Sequence, residues 1–220
     1  MNTPRRTPMI GLAEATVSLI LLVAMSPPTL QAGVIYSNFI PGYVPCCSGS
    51  LVRGPDYNAS PGLPLQTAVR FFTPSDNDYQ LTQIDFVAWW DSSTGGSNSI
   101  LFTLNSDASG LPGGVLSSWA LNLPEGSGVA YETVTPASAA RLVRGEPYWM
   151  VMAGVSYFSG VWIRSDDLSL LDAANWGSGW VPFDGAAPTL NLQGTAVPEP
   201  ATFYLLAASL LILKRRRGAT

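Results

Sequence analysis

Short stretches in which apolar and polar residues alternate recur along most of this chain and limit the folds that it can adopt. In the clearest stretch, residues 81–90, four alternate positions are apolar, namely Ile84, Phe86, Ala88 and Trp90. Successive side chains of a strand point to opposite faces, so this period of two predicts a strand with Asp85, Val87 and Trp89 on the second face. Trp89 and Trp90 must then point to opposite sides of one sheet.

Nine stretches of this kind predict strands, and they cover residues 34–39, 68–73, 81–90, 99–105, 115–121, 129–134, 147–153, 160–164 and 189–193. In the stretch 99–105, the inward positions are Ile100, Phe102 and Leu104, and the outward positions are Thr103 and Asn105. Many short strands at regular spacing are typical of sandwiches, so we predict an all-β fold, a β-sandwich of jelly-roll-like type.

The segments between these strands are rich in glycine, proline, asparagine and serine and are predicted to be turns or loops. They cover residues 92–98, 107–114, 124–128 and 176–188, and residues 41–64 are predicted to be a long surface loop or arm. Residues 168–174 favour a short helical turn. Cys46 and Cys47 are adjacent within the arm. A disulfide between neighbours is strained, so reduced or intermolecularly linked thiols are favoured, and a disulfide between Cys46 and Cys47 is the alternative.

Composition excludes several classes of function. The chain contains no histidine, which removes the usual general base, the usual partner of a serine or cysteine nucleophile and the commonest transition-metal ligand. Residues 33–196 carry five arginines, no lysine and thirteen carboxylates, hence a charge of −8. Such a surface repels phosphate backbones. We therefore expect no enzyme, no cofactor or metal centre and no nucleic-acid partner.

Two tryptophans in a glycine-rich segment, Trp176 and Trp180, are the best candidates for a binding surface. Exposed indole rings stack on the faces of sugar rings, so a carbohydrate-binding surface with a polysaccharide partner is one interpretation. The favoured interpretation is that the tryptophans fill the core and its edges, where aromatic side chains pack well.

Several acidic turns raise other possibilities. Calcium takes six to eight oxygen ligands, which the clusters 76–78, 166–167 and the loop 107–114 can supply in part. Paired carboxylates can also hydrolyse glycosides. None of the clusters has the spacing of a known calcium loop, and solvated turn residues are the favoured interpretation.

Both ends of the chain differ from the middle. Residues 1–32 are typical of a secretory signal peptide, with Arg5 and Arg6 followed by the apolar stretch 17–25 and by Ala32 before the expected cleavage. The other end begins at Val197, Pro198, Glu199 and Pro200, continues through the apolar run 201–213 and closes on Lys214, Arg215, Arg216 and Arg217.

This C-terminal arrangement resembles the PEP-CTERM sorting signal of Gram-negative bacteria. The resemblance implies a precursor held transiently in the inner membrane, processing by an exosortase, and release to the cell surface or to an exopolysaccharide matrix. As a helix, residues 201–213 would span about 20 Å, less than the ~30 Å hydrocarbon core of a bilayer. Such a marginal span suits a temporary anchor, and a permanent anchor is the alternative.

Residues 65–195 also resemble the exported β-domains found upstream of such signals, through the segments 110–113, 145–149 and 190–194. The expected organisation is a signal peptide (1–32), an exported β-domain (33–196) and a sorting signal (197–220). The expected function is a structural or adhesive role in a biofilm or cell-surface matrix. The alternatives are an extracellular glycan hydrolase and a permanently anchored carbohydrate-binding module.

Overall fold

The structure is a computed structural model that describes residues 32–39, 48–57, 65–90, 96–124, 128–138, 140–165, 172–183 and 186–197. This part of the chain contains thirteen strands and no helix, which confirms the all-β fold class. The strands are β1 (Ala32–Ser37), β2 (Gly49–Arg53), β3 (Gln66–Phe72), β4 (Asp78–Trp90), β5 (Ser99–Ala108), β6 (Leu111–Asn122), β7 (Gly128–Val134), β8 (Arg141–Leu142), β9 (Pro147–Gly154), β10 (Ser159–Ile163), β11 (Asp172–Asn175), β12 (Trp180–Phe183) and β13 (Leu190–Val197).

These strands form two antiparallel sheets in a β-sandwich-like arrangement. The first sheet is built on the long strand β4, which pairs with β13 and then β10 along one edge and with β8 and then β7 along the other. β1 pairs with β13, and β2 pairs with β10. The second sheet has the strand order β12, β11, β3, β9, β5, β6.

The core lies between the two sheets and is rich in aromatic rings. The Phe86 ring on β4 lies 4.5 Å from the Phe102 ring on β5, and Phe102 meets Trp162 of β10 edge-on at 5.2 Å. Edge-to-face and tilted contacts of this kind stabilise a core beyond the apolar area that they bury. The Trp162 indole N–H donates to the Thr189 carbonyl oxygen at 2.8 Å, so its polar atom stays satisfied inside the core.

The alternation in residues 81–90 and 99–105 correctly predicted which side chains enter this core. The predicted inward residues are all buried, namely Ile84, Phe86, Ala88, Trp90, Ile100, Phe102 and Leu104. Trp89 is half-buried on the opposite face from Trp90. Within the described residues, all nine predicted strands are present, with ends shifted by a few residues.

Several predicted loops contain strands instead. The arm 41–64 includes β2, whose Val52 is fully buried in the core, so this part of the loop prediction is wrong. β2 is short and begins at Gly49, where a Cβ would collide with the Val161 side chain. The helical turn predicted across 168–174 is wrong from Asp172 onwards, because these residues begin β11. The turn predicted across 176–188 contains β12. These short strands depend on pairing with neighbours that are distant in sequence, which local alternation cannot reveal.

The turn predicted across 107–114 is present but shorter than predicted, because this segment forms the end of a tight hairpin. β5 continues to Ala108 and β6 begins at Leu111, so only Ser109 and Gly110 remain in the turn. Their φ angles are 56° and 86°, a left-handed conformation that favours glycine at the second position.

This hairpin curls over the outer face of the second sheet. β-bulges between Leu104 and Asp107 bend β5, as bulges do. Leu111 packs against the buried cluster Ala68, Trp149, Val151 and Ala173, which lies outside the main core. Thr103 and Asn105 therefore occupy the predicted outward face but are buried, and the Asn105 amide donates to the Gly113 carbonyl oxygen at 2.9 Å. We call Ala68, Trp149, Val151 and Ala173 the outer cluster.

Among the described residues, none belongs to a helix that is long and apolar enough to cross a bilayer. The predicted membrane segment, residues 201–213, and the signal peptide up to residue 31 lie outside those residues.

Candidate functional site

A cleft of about 210 Å³ opens where one edge of the first sheet meets the second sheet. Its lining includes Ser50 from β2, Thr67 from β3, Asp172 from β11, Phe183 from β12 and Arg164, which follows β10. Trp176 stands at this cleft with 53% of its surface exposed. The volume is below the ~300–1,000 Å³ of pockets for drug-sized ligands, so the cleft suits one small ring or a chain end.

The loop that carries Trp176 is held in a fixed conformation. Oδ1 of Asn175 accepts hydrogen bonds from the backbone N–H of Gly177 at 2.9 Å and of Gly179 at 3.2 Å. The other side of the Asn175 amide donates to Oε1 of Gln66 at 3.2 Å, which ties the loop to β3. Gly177 and Gly179 adopt φ angles of 85° and 121°, which side chains disfavour. Trp176 is therefore presented to solvent from a preorganised turn.

The cleft also holds charged groups of both signs. Nε of Arg164 donates to Oγ of Ser50 at 3.2 Å, and its guanidinium lies 5.2 Å from the centre of the Phe183 ring. Asp172 lines the same cleft with only 2% of its surface exposed. An exposed indole beside the Arg164 guanidinium can combine ring stacking with hydrogen bonds to a polyhydroxylated ligand.

The two predicted tryptophans occupy different surroundings. Trp176 lines the cleft, whereas Trp180 is half-buried and packs against the outer cluster beside Trp149. The structure thus brings only Trp176 together with Arg164 and Asp172. The sequence interpretation missed Arg164 and Asp172, because isolated charged residues without a motif carry no signal and their proximity depends on pairing between β11, β12 and β3.

The side chain of Asp107, in the predicted ligand loop, is bound by neighbouring groups of the fold itself. It accepts hydrogen bonds from the Gly110 amide at 2.9 Å and the Trp149 indole at 2.8 Å, and it forms an ion pair with Arg70 at 3.0 Å. Burial alone would raise the pKa of Asp107, but the bonds from Gly110 and Trp149 and the charge of Arg70 outweigh it and lower that pKa. The carboxylate therefore fastens the hairpin to the outer face of the second sheet.

The acidic cluster 76–78 is also engaged by neighbours. Asp76 accepts from the Tyr79 hydroxyl at 3.0 Å, and Asp78 accepts from the Arg144 backbone amide at 3.0 Å and from Arg141. The Arg144 amide and then Arg141 lower the pKa of Asp78. No group of three or more His, Cys, Asp or Glu placed to hold a metal occurs among the described residues. The cluster 166–167 and the pair Cys46 and Cys47 lie outside them.

The sorting-signal residues are described only at their first position. Val197 ends β13 and pairs with Asp78 at the start of β4. Pro198, Glu199, Pro200 and the basic residues Lys214, Arg215, Arg216 and Arg217 lie outside the described residues. β13 therefore reaches the first residue of the predicted signal.

No protein-family model and no curated protein sequence matches this chain.

Proposed function

We propose that this chain is an exported protein that a PEP-CTERM-type tail delivers to the cell surface or extracellular matrix of a Gram-negative bacterium. The observation that carries the proposal is the order Pro198-Glu199-Pro200, apolar run, basic residues 214–217 at the end of the sequence. An N-terminal stretch typical of a signal peptide precedes the β-domain. In this proposal an exosortase processes the tail, and the jelly-roll-like sandwich is the delivered part.

The delivered domain has a structural or adhesive role and is not an enzyme. Two observations support this role. The sequence contains no histidine, and the carboxylates of Asp76, Asp78 and Asp107 already accept hydrogen bonds from neighbouring residues of the fold. Polysaccharide contact is the second part of the role, and Trp176 is its principal residue. Its exposed indole, its fixed loop and the neighbouring Arg164 and Asp172 support a small carbohydrate-binding cleft.

A transient membrane stage fits the physical properties of the tail. A helix over residues 201–213 reaches only about 20 Å, so it would insert with thinning of the bilayer or with extension of the basic side chains to the surface. Those basic residues stay on the cytoplasmic side, which leaves the β-domain outside the inner membrane. A short segment that inserts only weakly into the bilayer is readily removed by a processing enzyme.

Delivery is tested by expressing the full-length chain in a host that carries an exosortase gene and in the same host without that gene. Mass spectrometry of the mature protein should find its C-terminus near residues 198–202 only in the first host. The variant Glu199→Ala should retain the tail, and Glu146→Ala, which changes an exposed glutamate elsewhere, should be processed normally. A mature surface protein that still contains Arg217 would overturn the proposal in favour of a permanent anchor.

A further inference from the structure

We propose that the outer face of the first sheet carries a second glycan-binding site, distinct from the Trp176 cleft, that takes a neutral polysaccharide. This inference rests on the proposed polysaccharide contact and makes the domain bivalent. The site is a shallow groove of about 450 Å³ across β1, β13, β4 and β7. Its lining includes Ser37, Asp85, Tyr131, Thr133 and Asn191.

Four of these residues form one straight row across the sheet. Ser37 is paired with Asn191, Asn191 with Asp85, and Asp85 with Thr133 in the register of the strands. Directly opposed residues of antiparallel strands point to the same face, so all four side chains line the groove. With about 4.8 Å between strands, the row is about 14 Å long, which suits an extended chain of rings lying across the strands.

Asp85 fixes the orientation of the polar side chains around it. Its carboxylate accepts hydrogen bonds from Nε2 of Gln83 at 2.9 Å, from Oγ1 of Thr133 at 2.7 Å and from Nδ2 of Asn191 at 2.7 Å. Nε2 of Gln193 lies 3.4 Å from the same carboxylate. These donors fill the approximately four acceptor positions of a carboxylate, so Asp85 is a positioning residue and has little capacity left for a ligand.

The amide groups of Gln83, Asn191 and Gln193 consequently have fixed orientations, and that of Asn191 lines the groove itself. An ionised carboxylate can only accept, so Gln83, Asn191 and Gln193 must turn their NH₂ groups toward Asp85. Each amide keeps its carbonyl oxygen and one further N–H for other partners. Neighbouring acceptors and donors on side chains that are already immobilised can bind the adjacent hydroxyls of a sugar ring with little loss of side-chain entropy.

An aromatic ring stands beside the polar row. Tyr131 is 61% exposed, and it follows the same face of β7 as Thr133 two residues later. Its register partner is Val87 of β4, so the phenol ring borders the groove at the Asp85 row. A flat amphipathic ring next to fixed amides can stack on the C–H face of a sugar while the amides bind its hydroxyls.

The charges select the class of ligand. Asp85 contributes a carboxylate at the groove, and residues 33–196 carry thirteen carboxylates against five arginines. An anionic polymer such as a uronic-acid chain would be repelled by this field. A neutral, hydroxyl-rich polysaccharide meets no such penalty and uses both the amide row and the Tyr131 ring.

The test is native gel electrophoresis of the full-length chain through gels that contain dextran, hydroxyethylcellulose, galactomannan or, as the anionic probe, alginate. The chain is held in a detergent without a sugar headgroup. The variants are Tyr131→Ala, Gln193→Ala, Trp176→Ala and the double variant Trp176→Ala/Tyr131→Ala. The matched control is Tyr157→Ala, because Tyr157 is 53% exposed in a turn away from the groove.

We expect at least one neutral polysaccharide, but not alginate, to retard the wild-type chain. Tyr131→Ala should weaken that binding about tenfold in the Trp176→Ala background, Gln193→Ala should weaken it less, and Tyr157→Ala should leave it unchanged. Equal retardation of the Trp176→Ala and Trp176→Ala/Tyr131→Ala chains on every neutral polymer would overturn this inference, and so would an equal loss in Tyr157→Ala.

The outcomes also separate this inference from the proposed function. If Trp176→Ala abolishes all retardation while Tyr131→Ala changes nothing, the cleft stands and the second site is wrong. If no neutral polymer retards the wild-type chain, both binding sites are wrong, whereas delivery through the tail is judged separately by the mature C-terminus.

Discussion

The indole N–H of Trp149 donates a 2.8 Å hydrogen bond to Oδ1 of Asp107, and the same oxygen lies 3.0 Å from Nε of Arg70. These residues come from β9, β5 and β3, three neighbouring strands of the second sheet. The Gly110 amide adds a bond to the other carboxylate oxygen. One carboxylate thus joins the curled hairpin to the face that it covers.

Asp107→Asn should destabilise the folded domain. The substitution removes the charge that pairs with Arg70 and leaves an NH₂ group facing the donors of Trp149 or Gly110. Because hydrogen bonds to charged groups contribute about 1.5–3 kcal/mol each, we expect a loss of roughly 1–3 kcal/mol in the free energy of unfolding. Urea unfolding of the full-length chain, followed by tryptophan fluorescence, measures this value.

Asp56→Asn is the matched control for that experiment, because Asp56 is exposed in a turn. It should change the free energy of unfolding by less than about 0.5 kcal/mol. An equal effect of the two substitutions would show that Asp107 has no special role in fastening the hairpin.

The same carboxylate predicts a dependence of stability on pH. The pKa of Asp107 in the folded chain lies below its ordinary value of 3.8, since its hydrogen bonds and Arg70 outweigh the opposing effect of burial. Its contribution is therefore complete above pH 3.8 and is lost as the pH falls through the folded pKa. The difference in unfolding free energy between wild type and Asp107→Asn should be largest at pH 7 and shrink below pH 3.8. A difference that stays constant down to pH 2 would contradict this account.

Alternation in the sequence predicted the elements whose stability comes from the main core. Phe86 and Phe102 lie on strands that turn alternate residues toward the core, so their period was visible in the sequence and their inward direction was correct. The burial of Thr103 and Asn105, in contrast, is not predicted by alternation. They occupy the face opposite the core, but the curled hairpin buries them. The bend of this hairpin depends on the contact between Asp107 and Trp149, which no local sequence pattern predicts.

The candidate cleft was predictable only in part. Trp176 could be identified because an indole in a glycine-rich turn has a high chance of exposure. Arg164 and Asp172 could not, because they meet Ser50 and Thr67 only after β2 and β11 have paired with their neighbours. The Asp85 row has the same origin, since its four members come from four strands spread between Ser37 and Asn191.

Gly54 should be intolerant of any side chain. Its backbone N–H donates to the Phe158 carbonyl oxygen at 2.9 Å, and a Cβ would collide with the carbonyl oxygen of Ser156. The colliding atom belongs to the backbone, so it cannot move away by rotation as an atom of a flexible side chain could. Gly54→Ala should therefore cost about 1–3 kcal/mol, the usual range for overpacking. Thermal unfolding of the full-length chain measures the effect.

Gly114→Ala provides the control for Gly54→Ala. A Cβ at Gly114 would meet only Oγ of Ser106, at 3.9 Å, and its φ is not in the left-handed region. It should leave the melting temperature nearly unchanged. Similar melting temperatures for the two variants would contradict the close approach of β2 to the turn at Ser156.

Trp176 and Trp180 lie four positions apart in the same glycine-rich segment, so their alanine variants form a matched pair. Trp176→Ala should abolish or strongly weaken binding of a neutral polysaccharide at the cleft, yet change the free energy of unfolding by less than about 0.5 kcal/mol, because its ring is 53% exposed. Trp180→Ala should instead lower stability by roughly 1–2 kcal/mol and leave binding at the cleft intact, because Trp180 packs on the outer cluster.

These variants are compared in the Tyr131→Ala background, so that only the cleft contributes to binding. Saturation binding to dextran, hydroxyethylcellulose and galactomannan is measured by the change in tryptophan fluorescence. Asn175→Ala should lie between the two tryptophan variants, since it keeps the indole but releases the loop from Gly177, Gly179 and Gln66. Freed from that turn, Trp176 must be ordered at the moment of binding, and this entropy cost weakens affinity without removing the stacking surface. If Trp180→Ala abolishes binding while Trp176→Ala does not, the cleft is not the contact site and the outer cluster must open to bind sugar.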